Sequence, residues 1–117
     1  MAPSITQLNA VEVRLRELLA PYEDRLEWAT IYGIPTLRKA GANAHHWFAF
    51  VKPAARHVAL YLLPVHEHAG LRTSLSPALA KHLTGRSTFT FSAVDEGLFA
   101  ELEQVLARAY DIYMGDA

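Results

Sequence analysis

Two histidines separated by one residue, His66 and His68, are the most direct candidates for chemistry in this chain. In an extended segment, side chains two residues apart share a face, and Glu67 lies between these two. Imidazole nitrogens bind borderline transition metals, so the pair could chelate such an ion. The pattern supplies no third ligand, and solvated histidines in a surface loop are the simpler interpretation.

A second metal hypothesis uses carboxylates, because hard iron ions prefer oxygen ligands. Glu23, Asp24 and Glu27 lie close together after the first predicted helix. Three arginines are interleaved with these and neighbouring acidic residues: Arg14, Arg16 and Arg25. Such alternation favours a solvated face of mixed charge over an acidic ridge. Iron binding by the three carboxylates, with His66 or His68, is therefore an alternative hypothesis, and the leading one requires no cofactor.

Residues 85–88, with the sequence Gly-Arg-Ser-Thr, offer backbone amides, a guanidinium and two hydroxyls to an anion. The stretch lacks the glycine spacing of a nucleotide-binding loop, so a turn between a helix and a strand is the simpler interpretation. An enzyme needs a nucleophile, a contacting base and a group that stabilises charge. Ser87 and His57 could meet across strands, but the sequence places no acidic partner beside them. We therefore expect a protein that is not an enzyme.

Composition narrows the classes of partner. The 117 residues, with 11 basic and 12 acidic side chains, are the size of a single domain spanning residues 1–117. A net charge of −1 argues against electrostatic binding of nucleic acid or membranes. The chain has no cysteine, which removes disulfides and thiolate sites. Its N-terminus has no signal-peptide pattern, and its longest apolar run, residues 58–63, is too short to span a bilayer. We expect a cytoplasmic protein.

Hydrophobic periodicity predicts a helix near each end of the chain. Apolar residues recur at helical spacing over about residues 5–20, and again from Leu98 to Ile112. Residues 66–84 also have helical character, with Ser76 as an N-cap before a proline. Gly85 fits the left-handed position that follows a helix.

The segments between these helices have the patterns of strands. Residues 26–36 alternate with the period of a half-buried strand, and Gly33 and Pro35 mark a bend. Two apolar runs flank a loop of about four residues, which predicts a hairpin. These two runs are residues 46–52 and 57–63, and residues 87–91 are predicted as the last strand. This order predicts an α+β fold: a two-layer sandwich of a mostly antiparallel sheet, with the N- and C-terminal helices packed on one face.

The chain resembles the YdhG-like family, also called domain of unknown function 1801, over about residues 8–113. The resemblance rests on a Gly-x-Pro-Thr segment, a His-x-x-Leu-Tyr strand and a Gly-Arg-Ser-Thr-x-x-Phe strand. The matching residues are Trp28, Gly33, Pro35, Thr36, His57, Leu60, Tyr61, Gly85, Arg86, Ser87, Thr88 and Phe91. The family usually has Trp directly before the glycine, where this chain has Tyr32. The resemblance implies a frataxin-like sandwich, and some members are described as intracellular iron chaperones.

The leading hypothesis is a small non-enzymatic domain that binds a small ligand or a protein partner, with a homodimer through the sheet face as one form. Aromatic side chains occur on every predicted strand, and those facing away from the core could form an exposed apolar patch. The motifs bring a set of residues to strand ends on one side of the sheet. These candidate ligand-binding residues are Tyr32, Pro35, His57, Tyr61, Arg86 and Thr88.

Overall fold

The computed structural model describes residues 3–115, and its centre is a sheet of five antiparallel strands. The strands are β1 (Glu27–Ile31), β2 (Ile34–Arg38), β3 (Ala49–Pro53), β4 (Val58–Leu62) and β5 (Thr88–Phe91). Each strand pairs with the next along the chain, in the order β1-β2-β3-β4-β5. This arrangement confirms the predicted α+β class.

Two long helices frame the sheet in the sequence. They are α1 (Ile5–Leu19), which continues into a 3-10 turn at Ala20–Tyr22, and α5 (Glu96–Gly115). Ser4 and Gln7 form a reciprocal capping box at the start of α1. Three short helices join β4 to β5: α2 (Leu63–Glu67), α3 (Ala69–Thr73) and α4 (Pro77–Ala80). Within residues 3–115, no helix combines the length and hydropathy needed to cross a bilayer.

The core lies between the sheet and the two long helices. Alternate residues of β4, Val58, Leu60 and Leu62, are fully buried together with residues such as Leu15 of α1 and Leu102 of α5. Their cross-strand neighbours continue the same layer: Leu37, Ala49, Val51, Phe89 and Phe91. Side chains of the opposite parity lie outside this core cluster. We call their side of the sheet the open face.

The segment predicted as one bent strand, residues 26–36, is in fact part of a tight hairpin. Ile31 pairs with Ile34, so Tyr32 and Gly33 alone form the connection between β1 and β2. Their φ angles are 53° and 80°, and positive φ at both central residues is what a type I′ hairpin turn requires. Glycine adopts this conformation freely, whereas tyrosine is strained in it.

Gly85 does not occupy the left-handed position after a helix, so that prediction is wrong. Helix α4 ends at Ala80, and the chain then forms a bridge from Leu83 to Phe89. Gly85 lies in the turn that this bridge encloses, and its φ is not in the left-handed region. The predicted cap at Ser76 is confirmed, because its hydroxyl accepts a hydrogen bond from the Leu79 amide at 3.1 Å.

The phenol of Tyr113 fixes the long connection between β2 and β3. It accepts a hydrogen bond from the Lys39 amide at 2.9 Å and donates one to the His46 carbonyl at 2.8 Å. The Tyr113 ring stacks on the His46 imidazole at 4.7 Å and is 1% exposed. One buried side chain of α5 therefore closes both ends of the connecting loop.

Replacing Tyr113 with Phe should destabilise the fold by about 1–3 kcal/mol, because it leaves a backbone donor and a backbone acceptor without their partner. Urea unfolding followed by circular dichroism measures this loss. Amide exchange at Lys39 should accelerate as well. Unchanged stability together with unchanged exchange would show that the phenol does not hold the loop.

Burial raises the pKa of Tyr22 and Tyr113 above the usual value of about 10. Unfolded tyrosines lose their protons first as the pH rises, so the stability present below about pH 10 is lost as the pH rises through the folded pKa values. The variant Tyr22→Phe should therefore lose stability less steeply than the wild type above pH 10 in urea titrations. Tyr32→Phe, which changes an exposed phenol, is the matched control; equal slopes in Tyr22→Phe and the wild type would contradict the assignment.

Candidate ligand-binding site

A concave groove of about 340 Å³ lies on the open face of the sheet. We call it the aromatic groove. Its lining residues come from the β1–β2 hairpin on one side and from β3, β4 and the turn before β5 on the other. They are Ile31, Tyr32, Ile34, Thr36, Trp47, Phe50, Tyr61 and Ser87. A concave, largely apolar site with a few polar groups is the usual form of a small-molecule pocket.

Three aromatic rings form one wall of the groove. Phe50 and Tyr61 are cross-strand neighbours on β3 and β4, and their rings stack with centroids 4.3 Å apart and planes 12° apart. The Trp47 ring contacts the Phe50 ring, with centroids 5.1 Å apart and planes inclined at 53°. All three side chains are half-buried. Their remaining exposed surface is flat and apolar, which suits a planar or aliphatic partner.

The groove exists because the β1–β2 hairpin diverges from the rest of the sheet. β1 and β2 pair along their full length, as do β3 and β4, but β2 pairs with β3 only between Leu37 and Ala49. One further bond, from the Phe48 amide to the Leu37 carbonyl at 2.8 Å, continues this junction. Beyond it, the groove occupies the gap between the hairpin and the aromatic wall.

Polar groups in the groove are few. Thr36 is 1% exposed, and its hydroxyl donates to the Ile34 carbonyl at 2.9 Å. That hydroxyl therefore already has a hydrogen-bond partner within the protein and does not need one from a ligand. Ser87 lies at the opposite side, in the turn that leads into β5.

A second cavity, of about 370 Å³, is lined by His66, Arg72 and Arg86. We call it the basic cleft. One guanidinium nitrogen of Arg72 donates to the carbonyls of Val65 and His66, at 2.9 and 2.6 Å, which anchors this side chain against the end of α2. Within residues 3–115, Arg86 makes no ion pair or hydrogen bond through its side chain. The cleft thus joins one anchored and one unpaired cation.

The structure places the six candidate ligand-binding residues in different parts of the molecule. Tyr32 and Tyr61 line the aromatic groove, and Arg86 lines the basic cleft. Thr88 pairs with Tyr61 across β4 and β5, next to the groove. Pro35 and His57 do not join them.

Pro35 lies between Ile34 and Thr36, and adjacent residues of a strand point to opposite faces. Since its two neighbours line the groove, Pro35 points away from it. His57 directly precedes β4, four residues before Tyr61, which places it about 13 Å away along the strand. The sequence motifs predict that all six residues meet at strand ends on one side of the sheet, but Pro35 and His57 lie away from the groove.

The residues proposed for metal binding do not assemble. In the part of the chain that the structure describes, no three histidine or acidic side chains are grouped so that they could hold a metal ion. His66 lies instead with Arg72 and Arg86, whose charges oppose a cation. Glu27 pairs with Arg38 at 3.3 Å, while Glu23 and Asp24 are exposed. The iron hypothesis gains no geometric support from these positions.

Arginine–carboxylate pairs explain much of the mixed surface charge. Arg14 contacts Glu96 through two hydrogen bonds of 3.0 and 2.7 Å, and it also pairs with Glu17. The hydrogen bond from Arg14 lowers the pKa of Glu96. Arg16 pairs with Glu12 at 2.9 Å. The Arg14–Glu96 pair links α1 to the start of α5, whereas the other two pairs lie within α1, and exposed ion pairs contribute little stability each.

Sequence reasoning did not single out Trp47, Ile31 or Arg72 as site residues. Trp47 lies three residues before Phe50, so strand alternation alone would place it on the opposite face; it reaches the groove because it lies in the connection that precedes β3. Ile31 joins the groove only because the hairpin turn falls at Tyr32. No sequence signal predicted that Arg72 would fold back on α2.

Comparison with known proteins yields no relative: no protein-family model, curated protein or solved structure matches the chain.

The strained turn at Tyr32 leads to a prediction about stability. Tyr32 is 84% exposed and has a positive φ, which asparagine tolerates better than tyrosine. Tyr32→Asn should therefore stabilise the protein by about 0.5–1 kcal/mol in urea unfolding. Tyr32→Val, which adds a β-branched side chain at the same φ, should destabilise it. A loss of stability in Tyr32→Asn would mean that the ring makes contacts that outweigh the strain.

Proposed function

We propose that this chain is a small non-enzymatic binding domain of the YdhG-like type, and that the aromatic groove is its ligand site. The observation that carries the proposal is the wall formed by Trp47, Phe50 and Tyr61, half-buried against one another and open on one side. The shape and lining are those of a site for a small molecule with an apolar body.

The placement of the motif residues supports the same proposal. Tyr61 belongs to the His-x-x-Leu-Tyr strand, and Thr36 belongs to the Gly-x-Pro-Thr segment. Ser87 belongs to the Gly-Arg-Ser-Thr turn. All three line one groove although they are far apart in the sequence. The motifs that carry the resemblance therefore contribute to a common surface.

The surroundings of His57 favour binding over catalysis. Within residues 3–115, the His57 side chain has no acidic partner in hydrogen-bond or ion-pair contact. It also lies at the far end of β4 from the groove. A base activated by a neighbouring carboxylate is the arrangement that acid–base chemistry would need.

The proposal is tested with N-phenyl-1-naphthylamine, a neutral aromatic dye that becomes fluorescent in apolar sites. The wild type should bind it saturably. Trp47→Ala should weaken binding about tenfold or more, because a buried aromatic contact contributes on the order of 1.5–3 kcal/mol. The matched control is Trp28→Ala, since Trp28 pairs with Leu37 on the helix side of the sheet and is 43% exposed.

Absence of saturable binding, or equal loss in both tryptophan variants, would overturn the proposal. Light scattering on the same samples distinguishes one further outcome. A homodimer that dissociates in Trp47→Ala but not in Trp28→Ala would show that a second copy of the chain, rather than a small molecule, covers the groove.

A further inference from the structure

We infer that the natural ligand is an organic anion, with an apolar body in the aromatic groove and its negative group in the basic cleft. The inference depends on the proposed function, because it names the class of ligand for the same site. It starts from the observation that neighbouring residues line the two cavities: Ser87 lines the groove, and the residue before it, Arg86, lines the cleft. Consecutive Cα atoms are only about 3.8 Å apart.

The charges around the cleft favour a negative group. Its lining residues are two arginines and a histidine, and none of them is a carboxylate. A guanidinium offers several N–H donors in a plane, which suits the two oxygens of a carboxylate or the oxygens of a phosphate. Arg72 is already oriented by the two carbonyls that accept from one of its nitrogens. A ligand therefore meets at least one donor whose position is fixed in advance.

Arg86 differs from the arginines that pair with a carboxylate in lining a cavity beside a second arginine. Arg14, Arg16 and Arg38 each pair with a glutamate. In the described residues, Arg86 has no such partner, although it borders a cavity that already contains Arg72. Two cations beside one another repel, and an anion between them removes that repulsion. The arrangement is thus complementary to a negative ligand group rather than to a protein carboxylate.

The turn that carries Arg86 is held in place by the sheet. The Thr84 amide donates to the Thr88 carbonyl at 2.9 Å, and the Leu62 amide donates to the Ser87 carbonyl at 2.8 Å. The second bond ties the turn to the end of β4, one residue after Tyr61. The same backbone contact therefore sets the position of the cleft relative to the aromatic wall.

The test is displacement of N-phenyl-1-naphthylamine by two matched series, ω-phenylalkyl carboxylates and the corresponding alcohols, with two to six methylene groups. The wild type should prefer the acid to its alcohol by about tenfold at the length that spans both cavities, as expected for a charge-assisted hydrogen bond near solvent. The preference should fall as salt is added. The corresponding phenylalkyl phosphates show which head group the cleft favours.

Arg86→Gln removes one of the two guanidinium charges of the cleft and should weaken the preference for acids severalfold while leaving displacement by alcohols unchanged. Arg56→Gln is the matched control, because Arg56 is exposed in the turn between β3 and β4. Thermal unfolding confirms that both variants are folded. Equal displacement by acids and alcohols in the wild type, or equal effects of both substitutions, would overturn the anion site and leave the groove intact. Failure of the dye itself to bind would remove both proposals.

Discussion

The buried phenol of Tyr113 is the contact on which the position of the β1–β2 hairpin depends. It bonds to both ends of the connection between β2 and β3, at Lys39 and His46. Within residues 3–115, one register pair, Leu37 with Ala49, and one further backbone bond, from Phe48 to Leu37, join the hairpin to the rest of the sheet. A hairpin with so short a pairing to β3 could change its angle to the sheet, so the hydrogen bonds from Tyr113 of α5 help to set the width of the groove.

One-sided burial explains why a groove can form on this sheet. The two long helices cover one face and satisfy the hydrophobic alternation of β4 and β5 there. On the other face, Phe50 and Tyr61 cover each other by stacking instead of being covered by a helix. Antiparallel sheets commonly leave one face to solvent, but that face is normally polar. The aromatic cluster on this face is the feature that supports the proposed ligand site.

The sequence predicted the class of fold because its signals are local. Periodicity over residues 5–20 and the cap at Ser76 depend on neighbours in the chain, and both correspond to helices in the structure. The hairpin at Tyr32 was missed because a tyrosine rarely occupies a position with positive φ. Gly85 was misassigned because its turn is defined by a bridge between Leu83 and Phe89, which is a tertiary pairing that no helix-end rule anticipates.

The site was only partly predictable, since it depends on strand parity and on side chains that meet across elements. The motifs predict Tyr61 and Arg86 as parts of one site, yet the structure places them in two different cavities. What joins the cavities is the turn before β5, in which Arg86 lines the cleft and the next residue, Ser87, lines the groove. A single short turn therefore contributes a cation to one cavity and a hydroxyl to the neighbouring one. This geometry makes an apolar body with a charged end a better match than a wholly apolar ligand.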